Sequence, residues 1–69
     1  MTPLKDIGYI EKGMILVDRN GTEATVTDVM VFNDSPFENI LYIELNDMPK
    51  WIPLDWDRLD ENVRVRGTE

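Results

Sequence analysis

Arg19-Asn20-Gly21 stands between two apolar, β-rich runs, Met14-Ile15-Leu16-Val17 and Thr22 to Phe32. Asn and Gly tolerate the positive φ of a tight hairpin, so the two runs are predicted to be antiparallel neighbours. Gly13 leads into the first run. The second is rich in β-branched residues and has the length of a long strand. Within it Ala24 and Val26 share one parity, whereas Val29 and Val31 share the other, with Thr27 and Asp28 between them. Strand side chains alternate strictly, so a bulge or sharp bend near Thr27 is the economical explanation. A bend of this kind lets a small sheet fold over on itself and close five short strands into a barrel.

The rest of the chain continues the pattern. Asn33 to Asn39 reads as a loop, with Pro36 and the Asx residues supplying turns. Ile40 to Leu45 follows as a strand with Leu41, Ile43 and Leu45 on one face and Ile40, Tyr42 and Glu44 on the other. Asn46 to Pro49 is a second turn. Lys50 to Trp56 is a strand in which Ile52, Leu54 and Trp56 alternate against Trp51, Pro53 and Asp55, and Pro53 makes it an edge or bulged strand. Asp57 to Glu61 suits one helical turn with Asp57 as candidate N-cap. Val63-Arg64-Val65-Arg66 closes the chain as an alternating strand ending at Gly67. The expected fold is all-β, a small five-stranded barrel with one helical turn before the last strand, forming a single domain over residues 1–69.

Five strands with a helical turn before the last one is the order of the SH3-like barrels. Gly13 leading into MILVD, the NGTEATVTDV hairpin, and WIPLDW followed by DRLDEN and VRV carry the resemblance, over about residues 10–66. The chain resembles the small SH3-like domains of the KOW and Tudor types and those of short phage-encoded proteins. In peptide-binding SH3 domains a groove Trp, a Pro and a Tyr form the ligand surface. Trp51, Pro53 and Trp56 are the nearest equivalents here, compressed into one strand, and the acidic-aromatic first loop of that family has no counterpart.

Charge bounds the partners. Fourteen Asp and Glu against seven Lys and Arg give a net charge of −7, a field that repels phosphate backbones and anionic headgroups. Residues 34–61 alone hold eight acids and two bases. Direct nucleic-acid and membrane binding are therefore not expected. Cysteine is absent, which excludes disulfides and thiolate metal sites and fits a reducing cytosol. The first residues lack the apolar stretch of a signal peptide, and no apolar run approaches the ~20 residues of a membrane span. A cytoplasmic protein is expected.

Chemistry is sparsely provided. With neither His nor Cys, the general acids and bases left are carboxylates, lysines and tyrosines. Asp55 and Asp57 are the best pair, since their spacing puts both on one face of a strand, but a solvated Asp55 and a capping Asp57 account for them without catalysis. Asp55, Asp57, Asp60 and Glu61 miss the spacing of a calcium loop, which would need Gly at 60 and Glu at 66 where the chain has Asp60 and Arg66. Asn20-Gly21-Thr22 matches a glycosylation sequon, but the hairpin explains the same residues. Arg64 and Arg66 are read as internal salt-bridge partners. No catalytic residue, metal site or cofactor is assigned.

The aromatic residues carry the functional reading. If Ile52, Leu54 and Trp56 face inward, Trp51 faces outward, as a binding hot spot would. The alternative is a Trp51 buried under a loop as part of a small core. Tyr42 has the outer parity of the neighbouring strand, and Phe37 lies in the acidic loop. The candidate partner-binding set is Trp51, Tyr42, Pro53 and Phe37 with Asp55 and Asp57 as an acidic rim. The expected function is that of a non-catalytic protein-binding module docking on a basic partner, plausible targets being nucleic-acid-binding proteins and a sharper version being a phage-type inhibitor. A KOW or Tudor-like accessory module of nucleic-acid machinery is the runner-up, and an Asp-based hydrolase a remote third.

Overall fold

Turn chemistry and strand parity build the sheet in a computed structural model, which describes residues 1–35 and 38–68, with side chains outside 32–40. Among the described residues there are six strands: β1 (Thr2–Pro3), β2 (Met14–Val17), β3 (Glu23–Ser35), β4 (Glu38–Leu45), β5 (Ile52–Leu54) and β6 (Arg64–Thr68). They form one antiparallel sheet in the order β1-β6-β2-β3-β4-β5. The sheet curls into a half-barrel whose edges are β1 and β5. The protein is all-β apart from two short turns of helix, α1 (Leu4–Ile7) and a 3₁₀ turn at Trp56–Arg58.

The expected bend in β3 is a bulge at Thr27. The register passes from Val26 opposite Leu45 to Asp28 opposite Glu44, leaving Thr27 as the extra residue. Its hydroxyl lies 3.2 Å from the Glu44 carbonyl and 3.0 Å from Glu44 Oε1, and accepts the Asp47 N–H at 2.9 Å. The bulge thereby keeps Val26 and Val29 on the same concave side, against the core.

The tight two-residue turn falls at Asn46-Asp47 and not at Asn20-Gly21. Asn20-Gly21 is not a two-residue turn: Asp18 N–H donates to Thr22 O and Gly21 N–H to Asp18 O, both at 3.0 Å, closing a three-residue loop. Only Gly21 has positive φ, at 83°. Asp18 Oδ1 accepts from the N–H groups of Asn20 and Thr22, which satisfies the donors such a loop leaves open. The two-residue turn is Asn46-Asp47, with φ of 55° and 58° and Met48 N–H donating to Leu45 O at 3.0 Å. Asn46 Oδ1 accepts the Thr25 N–H at 2.9 Å and so continues the ladder toward β3.

Three expectations are corrected. Asn33, Asp34, Ser35, Glu38 and Asn39 belong to strands, because Asn33 pairs with Asn39 and Ser35 with Glu38. Backbone groups paired across a hairpin outweigh the turn preference of polar side chains. A sixth strand is added by the first residues, where Thr2 pairs with Val65 and Pro3 with Arg64. Leu4 then enters the core with no exposed surface, and Gly8 at φ 80° ends α1 by donating to Leu4 O at 3.1 Å. The cap of the 3₁₀ turn is Asp55, whose Oδ1 accepts the Asp57 N–H at 3.0 Å. Asp57 is inside the turn and not its cap.

The core is Leu4, Met14, Leu16, Val26, Ile43 and Val65, with Ile7, Ile10, Val29, Leu45, Trp56, Leu59 and Val63 packed around it. Among the described residues no buried polar side-chain atom lacks a hydrogen-bond partner, and no helix is long and apolar enough to cross a membrane.

Candidate interaction surface

Strand pairing brings part of the candidate set together. Tyr42 is opposite Pro53 across β4 and β5, and opposite Met30 across β4 and β3. Directly opposed residues share a face, so Met30, Tyr42 and Pro53 form one row across three strands. This is the convex side, since Ile43, the neighbour of Tyr42, is buried in the core at 3% exposure. Met30 and Pro53 are exposed and Tyr42 is half-buried. Trp51 precedes β5 with the parity of Pro53 and is 39% exposed, whereas Trp56 packs against the core. The strand expected over Lys50 to Trp56 is only Ile52–Leu54; the outward Trp51 fits the expected alternation, whereas Trp56 opens the 3₁₀ turn and reaches the core from there. Phe37 lies outside the described residues.

The acidic rim is partly occupied by structural duties. Asp55 caps the 3₁₀ turn, and its other oxygen lies 3.7 Å from Arg58 Nε. Asp57 is exposed and makes no side-chain hydrogen bond or ion pair among the described residues. Asp60 pairs with Arg19 and also accepts from the N–H and Nδ2 of Asn62 at 2.9 and 3.1 Å. Hydrogen bonding to Arg19, then to the Asn62 backbone, holds the Asp60 carboxyl below its usual value, and Asp60 in turn raises the Arg19 guanidinium. Among the described residues no three carboxylates gather into a cation site. Of the two closing arginines, Arg66 pairs with Glu23 at 2.6 Å, while Arg64 has no carboxylate within salt-bridge distance among the described residues. Arg64 lines, with Arg19, Asn62 and Val17, a groove of about 230 Å³ that shares no residue with the candidate set.

Pairing also exposes residues that alternation did not single out. Met30 joins the convex row, and Met48, 58% exposed, stands in the connection just before Trp51. On the other side of the sheet, Val31 is opposite Leu41 and Leu41 opposite Leu54, yet Val31 is 65% exposed. The signal for Val31 was its shared parity with Val29; what parity does not disclose is where the core ends. Set against known proteins, the chain matches no family model, no curated protein and no solved structure.

Proposed function

We propose that the chain is a non-catalytic acidic protein-binding module of the SH3-like kind, working in the cytoplasm and docking on a basic surface of a partner protein. The observation that carries this reading is the exposure of Trp51 beside an apolar row of Met30, Tyr42 and Pro53, of which Trp51, Tyr42 and Pro53 belong to residues 34–61 with their eight acids and two bases. A large exposed aromatic next to an apolar row supplies an anchor, and surrounding acids steer a basic partner toward it. A phage-type inhibitor that occupies the nucleic-acid-binding surface of its target is the sharper form of the same reading.

The test uses three baits in parallel: the wild-type chain, Trp51→Ala, and the double charge reversal Asp55→Lys with Asp57→Lys, each checked for folding. A basic protein retained by wild type, lost with Trp51→Ala and reduced by the charge reversal supports the reading. Equal retention on all three baits, or none on wild type, overturns it.

Arg64, which lines one groove with Arg19 and has no carboxylate within salt-bridge distance among the described residues, favours a second reading, a KOW or Tudor-like accessory module of nucleic-acid machinery. Labelled oligonucleotides at ~0.15 M salt separate the two, because a net charge of −7 opposes the counterion release that drives such binding. Micromolar affinity lost on Arg64→Ala would favour the second reading.

A further inference from the structure

Of the five asparagines, only Asn20 is followed by glycine. Glycine has no Cβ to crowd its nitrogen, so the Gly21 nitrogen can approach the Asn20 side-chain amide more freely than Asp34, Ile40, Asp47 and Val63 can approach theirs. Both residues are exposed at the tip of the β2–β3 hairpin, and a Cβ built on Gly21 would meet nothing within 4 Å, so water has access to the pair.

The fold holds this pair through one residue. Gly21 N–H donates to Asp18 O at 3.0 Å, and Asp18 Oδ1 accepts from the N–H groups of Asn20 at 2.8 Å and Thr22 at 2.9 Å. All three N–H groups from Asn20 to Thr22 are thus engaged by Asp18, and its carboxylate meets the main chain on both sides of the Gly21 nitrogen. An amide nitrogen becomes a nucleophile only on losing its proton. A hydrogen bond that holds the proton and a nearby negative charge both oppose that loss.

We propose that Asn20-Gly21 is a site of spontaneous deamidation that Asp18 holds in check. When the loop opens, the Gly21 nitrogen loses its proton and attacks Asn20 Cγ. The new C–N bond closes a five-membered succinimide, the bond from Cγ to the side-chain nitrogen breaks, and ammonia leaves with a proton. Water then opens the ring. Attack at Cγ gives aspartate, and attack at the Asn20 main-chain carbonyl carbon gives isoaspartate, whose chain runs through Cβ and Cγ. Either route consumes one water and releases one ammonia. Either product carries a new carboxylate, taking the net charge from −7 to −8, next to the Arg19 that ties this hairpin to Asp60. Isoaspartate also adds a methylene to a loop that Asp18 N–H closes on Thr22 O at 3.0 Å.

In the test, purified protein is incubated at mildly alkaline pH, folded and in urea, and conversion at each asparagine is followed by peptide mass spectrometry. Asn20→Gln, whose longer side chain would need a six-membered ring, is the blank. Asn20 is expected to be the first asparagine to convert in urea, and to convert at least tenfold more slowly when folded, because reaction waits on opening of the loop. Asp18→Ala is expected to convert at least fivefold faster than wild type when folded, and within twofold of it in urea. Asp18→Asn, which keeps an acceptor oxygen but loses the charge, is expected to convert at least twofold faster when folded. Circular dichroism checks that each variant folds, and the comparison of folded with unfolded wild type stands without them.

Acceleration in Asp18→Ala with none in Asp18→Asn supports restraint by the hydrogen bonds alone. Folded variants of Asp18 that both convert no faster than wild type, whether all are reactive or all inert, overturn the proposal. Folded wild type that converts as fast as the chain in urea, or another asparagine that converts first in urea, overturns it too.

Discussion

The Arg19 guanidinium pairs with the Asp60 carboxylate and ties the tip of the β2–β3 hairpin to the turn before β6, across 41 positions of sequence. Bonding to Arg19 and to the Asn62 N–H lowers the Asp60 pKa in the folded chain. A carboxyl whose folded pKa lies below its unfolded value of about 3.9 stabilises fully above that value and ceases to as pH falls through the lower one. The urea midpoint should therefore drop below about pH 4, and Asp60→Asn should flatten that part of the profile. Both side chains are solvent-accessible, so high salt should shrink the difference between the two proteins.

Thr27 is the hinge of the β3 bulge, and its hydroxyl serves Glu44 and Asp47 together. Thr27→Val keeps the shape and β propensity but leaves the Asp47 N–H without its partner. The expected cost is about 1–2 kcal/mol by urea unfolding, with Thr27→Ser losing less. An unchanged midpoint in Thr27→Val would mean that parity alone holds the bend.

Asp55 and Asp57 should separate in stability. Removing the cap with Asp55→Ala should cost about 1 kcal/mol, whereas Asp57→Ala should stay within about 0.5 kcal/mol. The reverse order would return the capping role to Asp57.

These cases show which layers of the structure alternation discloses. The bend at Thr27 and the inner face of β4 were legible because strand parity is strict: a side chain either points at the core or away from it. The outward Trp51 agreed with the same rule, whereas Trp56 reaches the core from the 3₁₀ turn, to which strand parity does not apply. Turn conformation was less legible, because Asp18 and Asn46 use their side chains as backbone substitutes, and this decides which loop takes two residues and which takes three. The strands at Asn33–Ser35 and Glu38–Asn39 were hidden by polar composition, since a hairpin arm beyond the core has no apolar pattern to display. The rows Met30–Tyr42–Pro53 and Val31–Leu41–Leu54 needed strand register, which no single segment contains.

The first residues test this directly. Thr2-Pro3-Leu4 carries no strand pattern, yet β1 extends the sheet at β6 and delivers Leu4, whose N–H donates to Val63 O at 2.9 Å, into the core. Leu4→Ala should cost about 2–5 kcal/mol, on the scale of fully buried leucines. In a domain this small that loss should shift the urea midpoint more than any surface change described above. A small effect would show that β1 and α1 are an appendage to the sheet.

The two indoles give the sharpest check on the convex surface. In Trp56→Phe the emission comes from Trp51 alone, and in Trp51→Phe from Trp56 alone. Trp51 is 39% exposed and Trp56 lies against the core, so acrylamide should quench the first several-fold more strongly than the second. Emission from Trp51 should also lie further to the red. Trp51 still buries more than half of its surface, so Trp51→Ala should cost about 1–3 kcal/mol, and a partner lost with it counts as lost from the surface only where the variant remains folded. Comparable quenching of the two, or unfolding of Trp51→Ala, would place Trp51 in the core and remove the anchor on which the convex-face reading depends.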